Sequence, residues 1–269
     1  MLIVAKSGGK IIEKGLDNAL ASDIQRVATS NKLVFVHGGG IQVTQIAEKL
    51  GKVQKFVISP KGIKSRYTDR EMVDIYTMVM TGKLNKQIVT ALQHMQAPAI
   101  GLSGLDGCLL QAKRKKRLII INERGRRMAI DGGYTGTIVN VNTKLLDYLI
   151  DGGYLPVISP VAISEEFDPL NVDGDRVAAF IAGSLKADKL ILLTDVEGVI
   201  MNDQVIPKLT LSEAENVLQR IGYGMITKIH AAIQAIKMGV KEVIISSGKG
   251  KRPISSAIEH KGGTVIVFE

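Results

Sequence analysis

The chain has 269 residues and a formal net charge of +9, long enough for one large or two intimate domains around a sizeable core. Its one cysteine, Cys108, excludes an internal disulfide framework, suits a reducing compartment, and reads as a small buried apolar side chain rather than a nucleophile. No apolar run reaches transmembrane length and no signal peptide precedes the first strand, so a cytoplasmic protein without a membrane partner is expected.

The first apolar run, Leu2-Ile3-Val4-Ala5, predicts a strand that leads into a turn, Lys6-Ser7-Gly8-Gly9. Leu16, Leu20, Ile24 and Val27 give helical spacing over Leu16 to Thr29. Val34-Phe35-Val36 reads as a second buried strand, followed at once by His37-Gly38-Gly39-Gly40 and a helix from Ile41 to Leu50. Without Cβ atoms, backbone N–H groups in such a turn approach an anion closely, and the following helix N-terminus adds a positive dipole end. The dinucleotide fingerprint and the P-loop pattern are both absent. A lone glycine triplet reads as a tight βα turn; a second turn of the same kind after Lys6 tips the reading towards a phosphate site. Alternating strands and helices predict βαβ units and a mainly parallel sheet.

Residues 51–69 read as irregular and polar, and Thr68 or Asp69 is placed to cap a helix beginning near Arg70. Arg66, just outside it, is a surface charge or a carboxylate clamp, and by itself reads as surface. The helix is expected to run from Glu71 to Met80, to be interrupted by Gly82-Lys83-Leu84-Asn85-Lys86, and to resume from Ile88 to Met95. Ala97 to Leu102 reads as a strand, and Ser103-Gly104-Leu105-Asp106-Gly107 as a turn. Between Gln111 and Ile130 stand eight basic residues and one acid, Glu123, which concentrates most of the chain's excess charge in one segment. Lys113, Arg114, Lys115, Lys116 and Arg117 precede Leu118-Ile119-Ile120-Ile121, so the charges are expected to flank a strand of a β-hairpin. That patch suits docking of an acidic partner by electrostatic steering. It suits nucleic acid poorly, because no aromatic residue is interleaved to stack on bases.

Tyr134 begins an extended stretch through Val141, Asn142 to Asp151 a short helix, and Tyr154 to Ile158 a strand. The polar junction Asn171-Val172-Asp173-Gly174-Asp175 precedes a helix from Arg176 to Leu185, and Asp173 or Asp175 reads as its cap. Lys189 to Leu193 is a buried strand, with Thr194-Asp195-Val196-Glu197-Gly198 as its turn. Helices are expected from Ser212 to Arg220 and from Gly224 to Met238, and strands from Glu242 to Ile245 and from Thr264 to Phe268. The junction alone suggests a boundary between 1–170 and 171–269.

Taken together, Lys6-x-Gly8-Gly9, Val36-x-Gly38-Gly39-Gly40, Asn171-Val172-Asp173-Gly174-Asp175, Leu193-Thr194-Asp195-Val196-x-Gly198-Val199 and Gly224-Met225-x-x-Lys228 resemble the amino acid kinase family in order and spacing over nearly the whole chain. Arg66-x-Thr68-Asp69, Gly82-x-x-Asn85-Lys86 and Ser103-Gly104-x-Asp106-Gly107 are similar to its acetylglutamate kinase branch. The longer substrate loop, Gly62 to Asp69, and the charges Lys113 to Arg117 resemble the kinases that act on an amino acid attached to the acidic amino-group carrier protein LysW, in lysine synthesis through aminoadipate and a parallel arginine route.

That resemblance implies an α/β fold, a three-layer αβα sandwich around a mainly parallel sheet. Residues 1–170 would bind the amino acid and dimerise, and 171–269 would bind nucleotide. It implies phosphoryl transfer from ATP to a side-chain carboxylate, with Lys6 and Lys228 flanking the phosphoryl group and Asp175 orienting both. Gly8, Gly9, Thr194, Asp195 and Gly198 would hold the nucleotide, and Gly39, Gly40, Arg66 and Asn171 the substrate. Lys64 and Lys113 to Arg117 would dock the carrier. Mg²⁺ would bridge ATP phosphates with water and phosphate ligands and no protein metal site. The alternatives are an acetylglutamate kinase acting on free N-acetyl-L-glutamate and, more remotely, a non-catalytic nucleic-acid-binding protein.

Overall fold

A computed structural model describes residues 1–60, 62–218 and 221–269. Lys61, in the stretch expected to be irregular, and Gln219 and Arg220, at the end of a predicted helix, lie outside the described residues. The first half of the chain runs β1 (Leu2–Ser7), α1 (Asn18–Ser30), β2 (Lys32–His37), α2 (Gly40–Lys49), β3 (Phe56–Ile58), β4 (Lys64–Arg66) and α3 (Arg70–Thr77). A π-helical segment (Met78–Leu84) leads to α4 (Asn85–His94), β5 (Ala99–Ser103), β6 (Leu110–Arg114), β7 (Arg117–Ile121), β8 (Arg127–Asp131), β9 (Gly136–Val141), α5 (Thr143–Asp151) and β10 (Leu155–Ser159). Then come β11 (Val161–Ile163), β12 (Pro169–Asn171), α6 (Gly174–Ser184), β13 (Lys189–Thr194), β14 (Ile200–Met201), β15 (Gln204–Val205) and β16 (Lys208–Thr210). The chain closes with α7 (Leu211–Val217), α8 (Tyr223–Lys237), β17 (Glu242–Ser247), α9 (Pro253–Ile258) and β18 (Thr264–Val267).

Eight strands form the central sheet, in the order β16-β18-β17-β13-β1-β2-β10-β5. The six from β17 to β5 are parallel, and β18 turns the edge by pairing antiparallel with β17. Successive residues of each strand point to opposite faces. Val4, Val36, Leu192 and Ile245 pack with α5, α6, α7 and α8 on one side, whereas Ile3, Phe35, Leu193 and Ile244 pack with α1, α4 and α9 on the other. This is the expected three-layer αβα sandwich. Burial on both faces is why a strand such as Leu190-Ile191-Leu192-Leu193 is a continuous apolar run rather than an alternating one. Parallel strands end on one common edge, so the turns after β1, β2, β10, β13 and β17 converge there, where open α/β sheets form their ligand crevice. β1 pairs with both β2 and β13, so the two halves of the chain share this sheet.

Two smaller four-stranded sheets, β12-β11-β6-β9 and β4-β3-β7-β8, cover that edge, and both depart from the sequence expectation. The stretch 51–69 is not wholly irregular: Phe56-Val57-Ile58 forms a short strand with Val57 buried. The basic run does not lie on a single hairpin. Lys113 and Arg114 belong to β6, Lys115 and Lys116 cross between sheets, and Arg117 starts the β7–β8 hairpin. Gly82 to Lys86 does not break the helix, because the π-helical ladder carries it through to α4. Tertiary packing outweighs the glycine there, since Met80 and Leu84 of this segment press on Gly39. Cys108 is half-buried in a short 3₁₀ turn.

Candidate active site

The sheet edge brings together a buried ion cluster from three distant elements. Lys6 is near the end of β1, Asp175 in the first turn of α6 and Lys228 in the first half of α8. Lys6 Nζ stands 2.6 Å from Asp175 Oδ1, and Lys228 Nζ 3.0 Å from Asp175 Oδ2. All three are buried, and the Thr227 hydroxyl donates to Asp175 Oδ2 at 3.4 Å. Burial opposes ionisation of Asp175, but the charges and hydrogen bonds of Lys6 and Lys228 outweigh it and hold the carboxyl well below its ordinary range. Two ammonium groups and one carboxylate leave a net positive charge away from water, an environment that strongly favours an anion beside it.

The two aspartates of the junction divide the work: Asp173 caps α6 by accepting from the Arg176 amide at 2.9 Å, and Asp175, in the first turn, carries its carboxylate inward to the two lysines. Asp69 likewise, and not Thr68, caps α3 through the Met72 amide at 2.8 Å.

The two glycine turns meet beside this cluster. The Gly8 amide donates to the Leu193 carbonyl at 3.2 Å and the Gly38 amide to the Ser7 carbonyl at 2.9 Å, which ties both turns to β1 and β13. A Cβ on Gly9 would lie 3.2 Å from the Gly39 nitrogen and 3.4 Å from that of Gly40, a tight approach that a glycine relieves beside those amides. Gly40 is linked in turn to Arg66, which donates through Nη2 to the Gly40 carbonyl at 2.8 Å and the Thr44 hydroxyl at 2.7 Å. Arg66 is therefore not the surface charge that its sequence context suggests. It is buried, its Nη1 has no hydrogen-bond partner, and among the described residues no carboxylate pairs with it. Asn171 Nδ2 donates to the Thr68 hydroxyl at 2.9 Å, bringing the end of β12 to the start of α3.

Thr194 ends β13, and Asp195 and Gly198 follow it on the same edge. Thr194 donates to Asp195 Oδ1 at 3.2 Å, and Lys10 pairs with Asp195 Oδ2 at 2.7 Å, the main cause of its lowered pKa. Gly198 leaves space for Thr264, whose hydroxyl accepts from the Val199 amide at 2.8 Å.

The expected docking residues separate into two groups. Arg114 turns inward, donating to the Gly133 carbonyl at 2.7 Å with its guanidinium 4.1 Å from the centre of the Tyr134 ring. Lys115 is half-buried. Lys113, Lys116 and Arg117 are exposed, as is Lys64 on β4. Strand register shows a feature that charge counting misses. Residues directly opposite in a sheet share a face. The pairs Phe56–Arg66, Ile58–Lys64, Ile58–Ile121, Ile121–Arg127, Ile119–Ala129 and Arg117–Asp131 thus mark one face of β4-β3-β7-β8. On it Phe56, Ile58 and Ile119 are 43%, 44% and 50% exposed, and Lys64, Arg117 and Arg127 surround them. Three neighbouring apolar side chains in water with a cationic border are characteristic of a protein-binding face. The sequence signals were Phe56-Val57-Ile58 inside a polar stretch and Leu118-Ile119-Ile120-Ile121 after the basic run, with nothing to pair the two. Thr44 and Thr227 were also missed, since a threonine within a helix carries no distinguishing spacing.

Among the described residues no group of three or more His, Cys, Asp or Glu side chains could cage a metal, and no helix is long and apolar enough to cross a membrane. Residues 1–247 match the model of the Amino acid kinase family. A protein of Nitrosopumilus maritimus, provisionally named a LysW-aminoadipate/LysW-glutamate kinase, is 51% identical over 268 residues and covers 100% of both chains. The LysW-aminoadipate/LysW-glutamate kinase of Sulfolobus acidocaldarius is 47% identical over 266 residues, covering 98% of this chain and 100% of its own. Among solved structures, smu.665 of Streptococcus mutans UA159 superimposes with a TM-score of 0.80 at 24% identity, covering 100% of this chain and 99% of that one, a likeness of fold.

Proposed function

The chain belongs to the amino acid kinase family, and on that premise we propose that it transfers the γ-phosphoryl group of ATP to the side-chain carboxylate of aminoadipate or glutamate carried on LysW. The product is an acyl phosphate for lysine or arginine synthesis. The observation that carries this reading is the buried Lys6–Asp175–Lys228 cluster, set beside two glycine turns at the end of a parallel sheet.

The acceptor is a carboxylate, already nucleophilic at neutral pH, so no general base is required. One of its oxygens bonds to the γ-phosphorus as the bond from that phosphorus to the β,γ-bridging oxygen breaks, and ADP leaves with the electron pair. The protein aligns the reactants and neutralises charge. Lys6 and Lys228 flank the transferring group, and Asp175 holds the two ammonium groups at a fixed separation. Donors already in place at the site of developing charge are typically worth several kcal/mol. Gly8 and Gly9 offer amides to the nucleotide phosphates, with Thr194, Asp195 and Gly198 along the nucleotide. Gly39 and Gly40 offer amides to the acceptor and the phosphoryl group it receives, Arg66 clamps a substrate carboxylate through its free Nη1, and Asn171 holds the substrate backbone.

Both Asp175 oxygens are taken by ammonium groups, so Mg²⁺ is proposed to be carried on ATP, held by phosphate oxygens and water. Residues 1–170 are proposed as the amino-acid and dimer half and 171–269 as the nucleotide half of a cytoplasmic homodimer. The carrier docks on the exposed cations Lys64, Lys113, Lys116 and Arg117, while Arg114 and Lys115 shape the crossing between the sheets. One methylene separates the two amino acids, a difference that discriminates weakly, so use of both is expected.

Turnover of ATP with Mg²⁺, with acyl phosphate trapped by hydroxylamine, tests the reading. Signal with LysW-linked aminoadipate or glutamate and little with free N-acetyl-L-glutamate supports it. The reverse makes the chain an acetylglutamate kinase and the exposed face a mere surface.

A further inference from the structure

One buried titratable group beside the glycine turn has no part in the chemistry above. His37 ends β2 with its ring wholly inside the protein. Nδ1 lies 2.9 Å from the Gly38 carbonyl oxygen, and Nε2 lies 3.3 Å from Nδ2 of Asn85. Asn85 is fully buried at the start of α4, just after the π-helical segment. Its Nδ2 also donates to the Val157 carbonyl at 2.9 Å, and its Oδ1 accepts from Lys86 Nζ at 3.2 Å. These partners identify which end of the amide is the NH₂. An NH₂ facing Nε2 requires a lone pair there, so the neutral ring carries its proton on Nδ1 and donates it to the Gly38 carbonyl. Burial lowers the His37 pKa to about 4; the Gly38 hydrogen bond opposes that shift, and Lys6, the charged group facing the ring, adds to it.

A trans peptide plane points its C=O and the following N–H in opposite directions. Fixing the Gly38 oxygen on the buried ring therefore turns the Gly39 N–H away from the ring, and the Gly39 nitrogen itself lies where the two glycine turns meet, 3.2 Å from the position of a Cβ on Gly9. A Gly–Gly peptide has no Cβ to resist rotation, so without such a tether it reverses at low cost and presents a carbonyl oxygen to an incoming anion. We infer that His37, kept as its Nδ1–H tautomer by Asn85, is a positioning residue that sets the Gly38–Gly39 peptide so that the Gly39 N–H faces the transferring phosphoryl group. The π-helical segment has a place in this device. It seats Met80 and Leu84 on Gly39 and delivers Asn85 to the ring. The role of the Gly39 N–H rests on the phosphoryl-transfer reading; the tautomer does not.

Two variants and one spectrum test it. His37→Leu removes the donor and is expected to lower kcat about 10²-fold, the usual loss for one donor at developing charge, with the KM for ATP within about threefold. His37→Asn returns an amide donor near the position of Nδ1 and is expected to recover kcat to within about tenfold of wild type. Equal losses in both variants, in step with their melting temperatures, overturn the inference. Should His37→Leu fail to fold, Asn85→Asp decides. A carboxylate facing Nε2 draws the ring proton there, so kcat gains a fall on the alkaline side that wild type lacks, and a flat profile overturns the inference. Long-range ¹H–¹⁵N correlation on histidine-labelled wild-type protein is expected to show the Nδ1–H form of His37 from pH 6 to 8. An Nε2–H form overturns the tautomer. A wild-type enzyme without turnover overturns the phosphoryl-transfer reading while leaving the spectrum to decide the ring.

Discussion

Two positively charged regions of this protein do opposite things with their charge. The Lys6–Asp175–Lys228 cluster is buried, held within 3.0 Å and drawn from three elements far apart in sequence. The face around Phe56, Ile58 and Ile119 is open, and Lys64, Arg117 and Arg127 reach into water beside it. In the first, low dielectric makes every charge consequential and no salt in solution screens it. In the second, each pair is worth little, and what counts is the summed field and the apolar surface it borders. On the proposed function, charge inside the protein sets a rate of chemistry, and charge outside it sets a rate of encounter.

The largest effect is expected from Asp175→Asn. It leaves two buried ammonium groups without their counter-charge, which destabilises the fold by about 3–5 kcal/mol and lowers the melting temperature by several degrees as well as kcat. The pH dependence has a definite sign. The folded carboxyl lies below its unfolded value, so its contribution is full above the ordinary carboxyl range near pH 4 and is lost as pH falls through the folded pKa. Wild type should therefore lose more stability than Asp175→Asn between about pH 4 and pH 2, as read by denaturant midpoints. Equal acid profiles would place the carboxylate outside the ion cluster.

A smaller, differently shaped effect is expected at Arg66. Arg66→Lys keeps the charge and loses the planar fork, so the KM for the amino-acid substrate should rise about 10-fold or more while ATP saturation changes little. A rise for ATP alone would move Arg66 to the nucleotide side. The smallest intrinsic effect belongs to the exposed face. Reversing Lys64, Arg117 and Arg127 to Glu should slow association with the carrier about tenfold at low salt and progressively less as salt is added. A loss independent of ionic strength would argue against steering, and a change in oligomer mass would make the face a contact between copies of the chain.

The sequence was most legible where one local rule decided the outcome. Buried strands such as Lys189 to Thr194 are continuous apolar runs, and their helices keep helical spacing, so the βαβ units and the mainly parallel sheet follow from pattern, while the layered sandwich was implied by the family resemblance. Asp69 and Asp173, each one of two candidates in its stretch, are caps of the ordinary kind, and Asn142, read as a first helical residue, is a cap as well. Legibility failed where long-range packing overrode a local signal. Gly82 reads as a breaker, yet contacts of Met80 and Leu84 on Gly39 carry the helix through it. Arg66 reads as surface until Gly40 and Thr44 close over it. The basic run reads as one hairpin, but neighbours in sequence need not be neighbours in a sheet: β6 and β7 pair with different partners. The inward turn of Asp175 has no local signature; only the motif order resembling the kinase family pointed to it.

The most direct test of the central claim is a rapid-quench measurement of acyl phosphate formation on LysW-linked aminoadipate by wild type, Lys6→Ala and Lys228→Ala. The account predicts ADP and acyl phosphate in equal amounts from wild type, and a rate at least 10²-fold lower in each variant at saturating ATP, with ATP affinity within a few-fold. Either variant turning over at close to the wild-type rate would contradict the claim that these two buried ammonium groups stabilise the transferring phosphoryl group.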